Sequence, residues 1–213
     1  MHPPLCYIMS KDSGVKYIYR VMLQEYVKEH KNKWERQWEN HTGIRNEDWT
    51  DCYQNIFKST VSTRHRSLHY KIVTRTIVTN VLLVRMGIKD STLCHRCNIT
   101  HETISHKFWS CLRVKNFWTN IYQWLVESGA MSRSQRLDER TVLFGLGKTD
   151  IVNHVIIIAK QLIQENKALC LELLKKFVAI DRTTEETTAR ISGNLTNFER
   201  KWGQFAYARE TLR

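Results

Sequence analysis

Four side chains able to bind a metal are closely spaced near the middle of the chain. They are Cys94, Cys97, His106 and Cys111, in the pattern C-x2-C-x8-H-x4-C. Two cysteines separated by two residues can hold one ion from a single turn, and three sulfurs with one imidazole nitrogen complete the tetrahedron typical of structural Zn²⁺. Because four protein ligands leave no coordination position for water, we expect a zinc knuckle that stabilises a polar loop and performs no metal catalysis.

Other interpretations of this segment fit the spacing less well. A zinc protease needs two histidines four residues apart on one helical face, whereas His101 and His106 lie five positions apart. His101 in place of His106 would also match knuckle spacing poorly, and His95, between two ligands, is expected to point outward. A disulfide is disfavoured in a reducing compartment, and chance clustering remains an alternative. The isolated Cys6, Cys52 and Cys170 are expected to be small buried hydrophobes.

The charge of the chain points to a polyanionic partner. Among 213 residues, 33 Lys and Arg oppose 21 Asp and Glu, which gives a net charge of +12. Nucleic acid is the first candidate, since neutralising phosphates releases counterions. An acidic membrane surface is second, and a basic surface without a partner is the third interpretation. The sequence shows neither a secretory signal nor an apolar run long enough to cross a bilayer, so we expect free or metal-bound thiols and no membrane.

The fold that must position the metal ligands is expected to be mainly α-helical, since the only prolines are Pro3 and Pro4. We divide it into a helical lead-in over residues 1–60, a zinc-binding segment over 61–129 inserted between helices, and a helical carboxyl-terminal tail over 130–213. The lead-in contains apolar residues at helical spacing over 14–27 and around Trp34 and Trp38. A further helix, capped by Asn46, carries Trp49, Cys52, Tyr53 and Phe57 on one side.

The next segments alternate between polar connections and amphipathic helices. Residues 59–67 are expected to form a loop, followed by two short helices that meet at Thr79 and Asn80, with strands as the alternative. Gly87 ends the second of these helices, and Gly129 ends an amphipathic helix that begins after Cys111. Residues 130–141 are a polar linker. Further helices cover 151–167 and 169–200, the latter broken near 179–183 and at Gly193.

The segment around the cysteines resembles the zinc-binding segment of reverse transcriptases from non-LTR, LINE-type retrotransposons. The resemblance is specific over residues 68–126 and weaker in the flanks. Outside the four ligands, it rests on Lys71, Thr79, Met86-Gly87-Ile88, Glu102-Thr103, Trp109 and Phe117-Trp118. Asn80 stands where many members of this family have proline.

This resemblance implies a carboxyl-terminal fragment of a larger polyprotein, next to its polymerase domain. The polymerases of this family use a pair of adjacent aspartates to hold Mg²⁺, and this chain contains no adjacent pair. Nor does the region after Cys111 offer a convincing nuclease motif. We therefore expect no catalytic residues, no enzyme activity and no small-molecule substrate. The implied role is to bind the RNA of the element, with target DNA as a second ligand, in a ribonucleoprotein particle of the cytoplasm and nucleus during target-primed reverse transcription.

Basic residues on either side of the cysteines are the candidates for contact with nucleic acid, because arginine pairs with phosphates and stacks on bases. They are Arg64, Arg66, Lys71, Arg75, Arg85, Lys89, Arg96, Lys107, Arg113 and Lys115. Tyr70 and Trp109 can stack on bases as well, although core packing is the preferred interpretation for both. Two alternatives remain: a module that docks on the polymerase through apolar contacts, and an inactive remnant of a retroelement.

Overall fold

The computed structural model describes residues 32–45, 48–145, 149–203 and 205. The expected helix over residues 14–27, the cap Asn46 and the isolated Cys6 lie outside these ranges. Within them the chain is mainly helical, as the sequence predicts, and its only β-type pairing is one isolated bridge between Leu93 and His101. None of the described helices is long and apolar enough to cross a membrane.

Nine α-helices and one π-helical turn form the described part of the chain. In order they are α1 (Lys33–Thr42), α2 (Asp48–Ser59), α3 (Thr63–Val73), α4 (Asn80–Arg85), the π-turn (His106–Ser110), α5 (Leu112–Glu127), α6 (Glu139–Phe144), α7 (Asp150–Gln164), α8 (Leu171–Ser192) and α9 (Leu195–Trp202).

Helix α7 forms the centre of the fold and packs against α2, α3 and α8. It carries the run Val155–Ala159, all of it buried, and even His154 and Lys160 on this helix are almost inaccessible to solvent. A helix that is apolar on nearly all sides must be surrounded by other elements. Side chains from all three expected segments, among them Trp38, Phe108 and Leu174, contribute to this common core.

Helix α5 and the ends of α4 agree with the prediction from sequence. The six apolar residues expected on one face of α5 are all buried: Val114, Phe117, Trp118, Ile121, Trp124 and Leu125. Thr79 caps α4, its side chain accepting a hydrogen bond from the amide of Leu82 at 3.2 Å. Gly87 follows the end of α4 with a φ of 70°, a value that favours glycine.

Two predictions about where helices begin or break were wrong. Residues 63–67 are helical, because Ser62 caps α3 and the face of that helix is completed by the buried histidines His65 and His69. Helix α8 continues through 179–183, where the hydroxyl of Thr183 donates to the carbonyl of Ala179 one turn earlier, and it ends at Gly193 as expected.

On α2, Phe57 faces solvent, although the sequence predicts that it lies on the same side of the helix as Trp49 and Cys52. Phe57 is 63% exposed, whereas its neighbour Ile56 is buried beside Trp49 and Cys52. In the expected linker, residues 130–138 are not helical, but Met131 is buried and α6 begins at Glu139. The linker is therefore packed against the core at its start and helical at its end.

Candidate metal centre

The first two metal ligands lie in a narrow loop. Its two sides are held together by hydrogen bonds from the amide of Cys94 to the carbonyl of Thr100, and from the amide of Glu102 to the carbonyl of Thr92, each 2.8 Å long. Asn98 turns the chain with a φ of 54°, a conformation that asparagine tolerates better than most residues. These contacts place Cys94 and Cys97 on the same turn.

Backbone amides point at both sulfurs of this turn. The Cys94 sulfur accepts hydrogen bonds from the amides of Cys97 and Arg96, and the Cys97 sulfur from those of Thr100 and Ile99. Burial raises the pKa of Cys94. For Cys97 burial also acts to raise the pKa, but the amide hydrogen bonds and the nearby His106 outweigh it and lower the pKa to about 6. The amides therefore stabilise the thiolate form of Cys97, which is the form that binds zinc.

The other two ligands come from the two ends of the π-turn. The amide of Cys111 donates to the carbonyl of His106 at 3.0 Å, closing a turn between residues five apart. An α-helix would separate side chains at this spacing, whereas the wider π-turn brings them to the same side. The H-x4-C spacing is therefore compatible with one ion because the backbone is locally π-helical.

The four ligand atoms lie within 4.8 Å of one another. The distance between Nε2 of His106 and Sγ of Cys97 is 3.4 Å. Bond lengths of about 2.3 Å for Zn–S and about 2.05 Å for Zn–N in a tetrahedron place such ligand atoms about 3.6 Å apart. The donor set and its size therefore fit Zn²⁺. Cys94, Cys111 and His106 are buried, so a bound ion would be closed off on most sides.

A second group of possible ligands shares Cys94 with the first and adds His95 and Glu102. In this group, however, Nδ1 of His95 lies 2.8 Å from the carboxylate of Glu102, so the two side chains already pair with each other. The soft sulfur-rich set of four is the more complete zinc site. His95 is exposed, as the sequence predicts, while its Nδ1 pairs with Glu102.

Two residues that support the ligands were not identified as such from the sequence. Oγ of Ser110 lies 3.4 Å from Nδ1 of His106, which leaves Nε2 to face the sulfurs. Glu102 is buried and accepts a hydrogen bond from the amide of Asn80 at 3.2 Å. Burial acts to raise the pKa of Glu102, but the hydrogen bond from His95 and the charge of Lys107 lower it overall. The available signal for Glu102 was its place in the motif on which the family resemblance rests.

Six of the ten basic residues expected to contact nucleic acid are exposed. They are Arg64, Lys71, Arg85, Lys89, Arg113 and Lys115. Two of them have protein partners: Arg64 pairs with Glu165, and the Lys89 ammonium donates to the side-chain oxygen of Asn80. Tyr70, which was expected in the core, is 60% exposed on α3, whereas Trp109 is half-buried.

The other four basic residues are engaged with the protein itself. Lys107 is buried, and its ammonium group donates to the carbonyl of Val78 at 2.9 Å. Arg96 donates to the carbonyl of Ile163 at 3.3 Å and so attaches the metal loop to the end of α7.

The remaining two stack on aromatic rings. The Arg75 guanidinium lies 4.3 Å from the ring centre of Trp38, and that of Arg66 lies 5.0 Å from the ring centre of Phe57. Lys107 is therefore removed from any surface that meets a partner. Arg66, Arg75 and Arg96 are only partly available.

Comparison with known proteins finds a similarity over part of the chain. None of the curated proteins matches the chain. A family model described as zinc-binding in reverse transcriptase matches residues 14–118, so this segment, which holds Cys94, Cys97, His106 and Cys111, is similar to the zinc-binding domain of reverse transcriptases.

Proposed function

We propose that this chain is a zinc-stabilised nucleic-acid-binding module that works beside the polymerase of a LINE-type reverse transcriptase, as part of its carboxyl-terminal region. The main support is that the four ligands Cys94, Cys97, His106 and Cys111 converge within the segment similar to reverse-transcriptase zinc-binding domains. In this proposal zinc organises the loop and takes no part in chemistry, and the chain is not itself an enzyme.

The proposed ligand is RNA of the element, with target DNA as a second substrate, held during target-primed reverse transcription in a cytoplasmic and nuclear particle. A net charge of +12 supports a polyanionic partner. Lys71 on α3, Arg85 at the end of α4 and Arg113 at the start of α5 are exposed on the elements that flank the metal loop. No acidic side chain in the described ranges forms an ion pair with any of these three.

The experiment is a titration of the zinc-loaded chain with labelled RNA at increasing salt. The wild type should bind, and its affinity should fall steeply with salt because counterions are released. Replacing Lys71, Arg85 and Arg113 by glutamate should abolish binding while the circular dichroism spectrum is unchanged. A control with the same change of charge replaces the exposed Arg36, Lys58 and Lys176 by glutamate and should retain most of the affinity. Equal losses in both variants would contradict a localised surface.

A second candidate function, docking on the polymerase domain, is favoured by apolar side chains exposed near the metal loop in the sequence. Met86, Ile88 and Ile99 are 61%, 62% and 80% exposed. Exposed apolar side chains of this kind can be covered by a protein partner. Docking through them would depend little on salt, so the same titration, carried out with the polymerase domain in place of RNA, separates the two functions.

A further inference from the structure

A cavity of about 540 Å³ opens beside α5, between this helix and the segment that follows it. Its lining combines two kinds of side chain: the aromatic rings of Trp109, Trp118 and Tyr122, and the cations of Lys115, Arg133 and Arg136. No acidic residue contributes to the lining. Cavities that bind small organic groups fall in this range of volume, with apolar walls and a few polar groups.

The aromatic rings are held in place by contacts with the backbone. Trp118 is 3% exposed, and its indole N–H donates to the carbonyl of Phe108 at 2.7 Å. The hydroxyl of Tyr122 donates to the carbonyl of Arg133 at 3.2 Å, which joins α5 to the opposite wall. Trp109 belongs to the π-turn whose two ends supply His106 and Cys111. The cavity is therefore already formed before a ligand binds, and zinc binding would position one of its walls.

The three cations of the cavity have no anionic partner among the residues that the structure describes, unlike several other cations of the fold. Lys115, Arg133 and Arg136 are exposed, and within the ranges that the structure describes none of them lies within ion-pair distance of a carboxylate. Elsewhere Arg140 pairs with Asp48, and Lys201 pairs with Glu185. Three positive charges at the rim of an aromatic cavity attract an anion that also carries a flat, apolar group.

We propose that this cavity binds an unpaired base of single-stranded RNA, with the adjoining phosphates at Lys115, Arg133 and Arg136. The inference rests on the proposed function and adds to it a site for one unpaired base. Unpaired bases stack on aromatic side chains while basic residues follow the phosphates, and this combination is typical of single-strand recognition. An acidic peptide would satisfy the cations but would leave the aromatic wall without a flat partner. A base in a duplex is stacked on its neighbours and cannot enter.

The location can be tested with the zinc-loaded full chain and a labelled single-stranded oligouridylate. Changing Lys115, Arg133 and Arg136 together to alanine should weaken binding and make the slope of log K against log salt shallower by about 2, because each phosphate contact in a single strand contributes about 0.7. A control with equal loss of charge changes the exposed Arg36, Lys58 and Lys176 to alanine and should leave the slope near that of the wild type.

The aromatic contribution requires its own pair of variants. Tyr122→Leu and Tyr122→Phe both lose the hydroxyl, but only Tyr122→Leu loses the ring, so it should bind roughly 5- to 100-fold more weakly than Tyr122→Phe. In unaltered protein, an oligouridylate that contains 4-thiouridine should crosslink to the peptide with Trp109 or Tyr122, which needs no variant to fold. Duplex RNA of the same sequence should bind more weakly.

The outcomes separate this inference from the function on which it rests. If the wild type does not bind RNA at all, both are overturned. If it binds, but the alanine variants of the cavity match it and the crosslinks lie on other peptides, only the location is wrong. If polyglutamate displaces the oligouridylate as effectively as unlabelled RNA does, the cavity is a docking site for an acidic peptide, and the inference is overturned.

Discussion

The ammonium group of Lys107 lies 3.7 Å from the carboxylate of Glu102, and both side chains are almost completely buried beside the metal site. Glu102 ends the loop that carries Cys94 and Cys97, whereas Lys107 directly follows the ligand His106. The pair therefore joins the two halves of the ligand set. Lys107 also donates to the carbonyl of Val78, so the same side chain connects the metal site to the segment before α4.

Loss of one partner of this pair should destabilise the protein strongly. In Glu102→Gln the Lys107 ammonium keeps its charge but loses its buried counterion, a change that costs about 3–5 kcal/mol. Urea unfolding of the zinc-loaded protein measures the free energy of unfolding of each variant. The double variant Glu102→Gln/Lys107→Met removes the isolated charge and should recover most of the loss. A double variant less stable than Glu102→Gln alone would contradict this explanation.

Removal of two ligands should abolish zinc binding. In Cys94→Ser/Cys97→Ser only His106 and Cys111 remain, so elemental analysis should find no zinc, and thermal unfolding should begin at a lower temperature because metal binding contributes to folding. Cys170→Ser is the matched control, since Cys170, which was wrongly expected to be buried, is exposed and lies outside the four-ligand group. Retention of one zinc per chain by the double variant would show that the site is placed wrongly.

Two arginines near the metal loop should respond in opposite ways. Arg96→Ala removes the hydrogen bond to the carbonyl of Ile163 and should lower the free energy of unfolding by about 1–2 kcal/mol, with little change in RNA affinity. Arg113→Ala removes an exposed side chain at the start of α5 and should weaken RNA binding at unchanged stability. Urea unfolding and fluorescence anisotropy on the same two proteins provide the comparison. If only Arg96→Ala weakened RNA binding, Arg96 and not Arg113 would be the residue that contacts RNA.

Lys160 should make the protein more stable as the pH rises from 7 to 9. Burial lowers the pKa of Lys160 from 10.5 to about 7, and its nitrogen donates to the carbonyl of Leu143 at 3.2 Å. Between these two values the unfolded chain holds a proton that the folded chain has lost, so raising the pH favours the folded state, by up to about 1.4 kcal/mol per pH unit.

The pH series requires a variant that lacks the amine. Lys160→Met, with zinc bound throughout, should show a shallower rise of unfolding free energy between pH 7 and 9 than the wild type. The range stops at 9 because burial also raises the pKa of Cys52 from 9.0 to about 12, which lowers stability at higher pH. Parallel curves for the two proteins would show that Lys160 is charged in the folded state.

Much of the helical pattern follows from local chemistry. The cap at Thr79, the termini at Gly87 and Gly193 and the buried face of α5 depend on residues within a few positions of each other, and all were expected from the sequence. The errors arose where contacts between residues far apart in the chain determine the local structure. The first turns of α3 include the buried His65, whose Nδ1 lies 3.6 Å from the carboxylate of Asp181 on α8, and composition alone makes residues 59–67 look like a polar loop.

The sequence by itself determined which side chains can bind zinc, because ligand type and spacing are properties of the chain. Only the tertiary structure decided that the π-turn brings His106 beside Cys97, since the H-x4-C spacing separates two side chains in an α-helix. The tertiary structure also decided which cations are buried and which are exposed. Lys107 is buried by Glu102 and Val78, whereas Arg133 and Arg136 reach the same cavity as Trp118 because their segment folds back along α5. Charge is countable in a sequence, but its exposure depends on contacts between residues far apart in the chain.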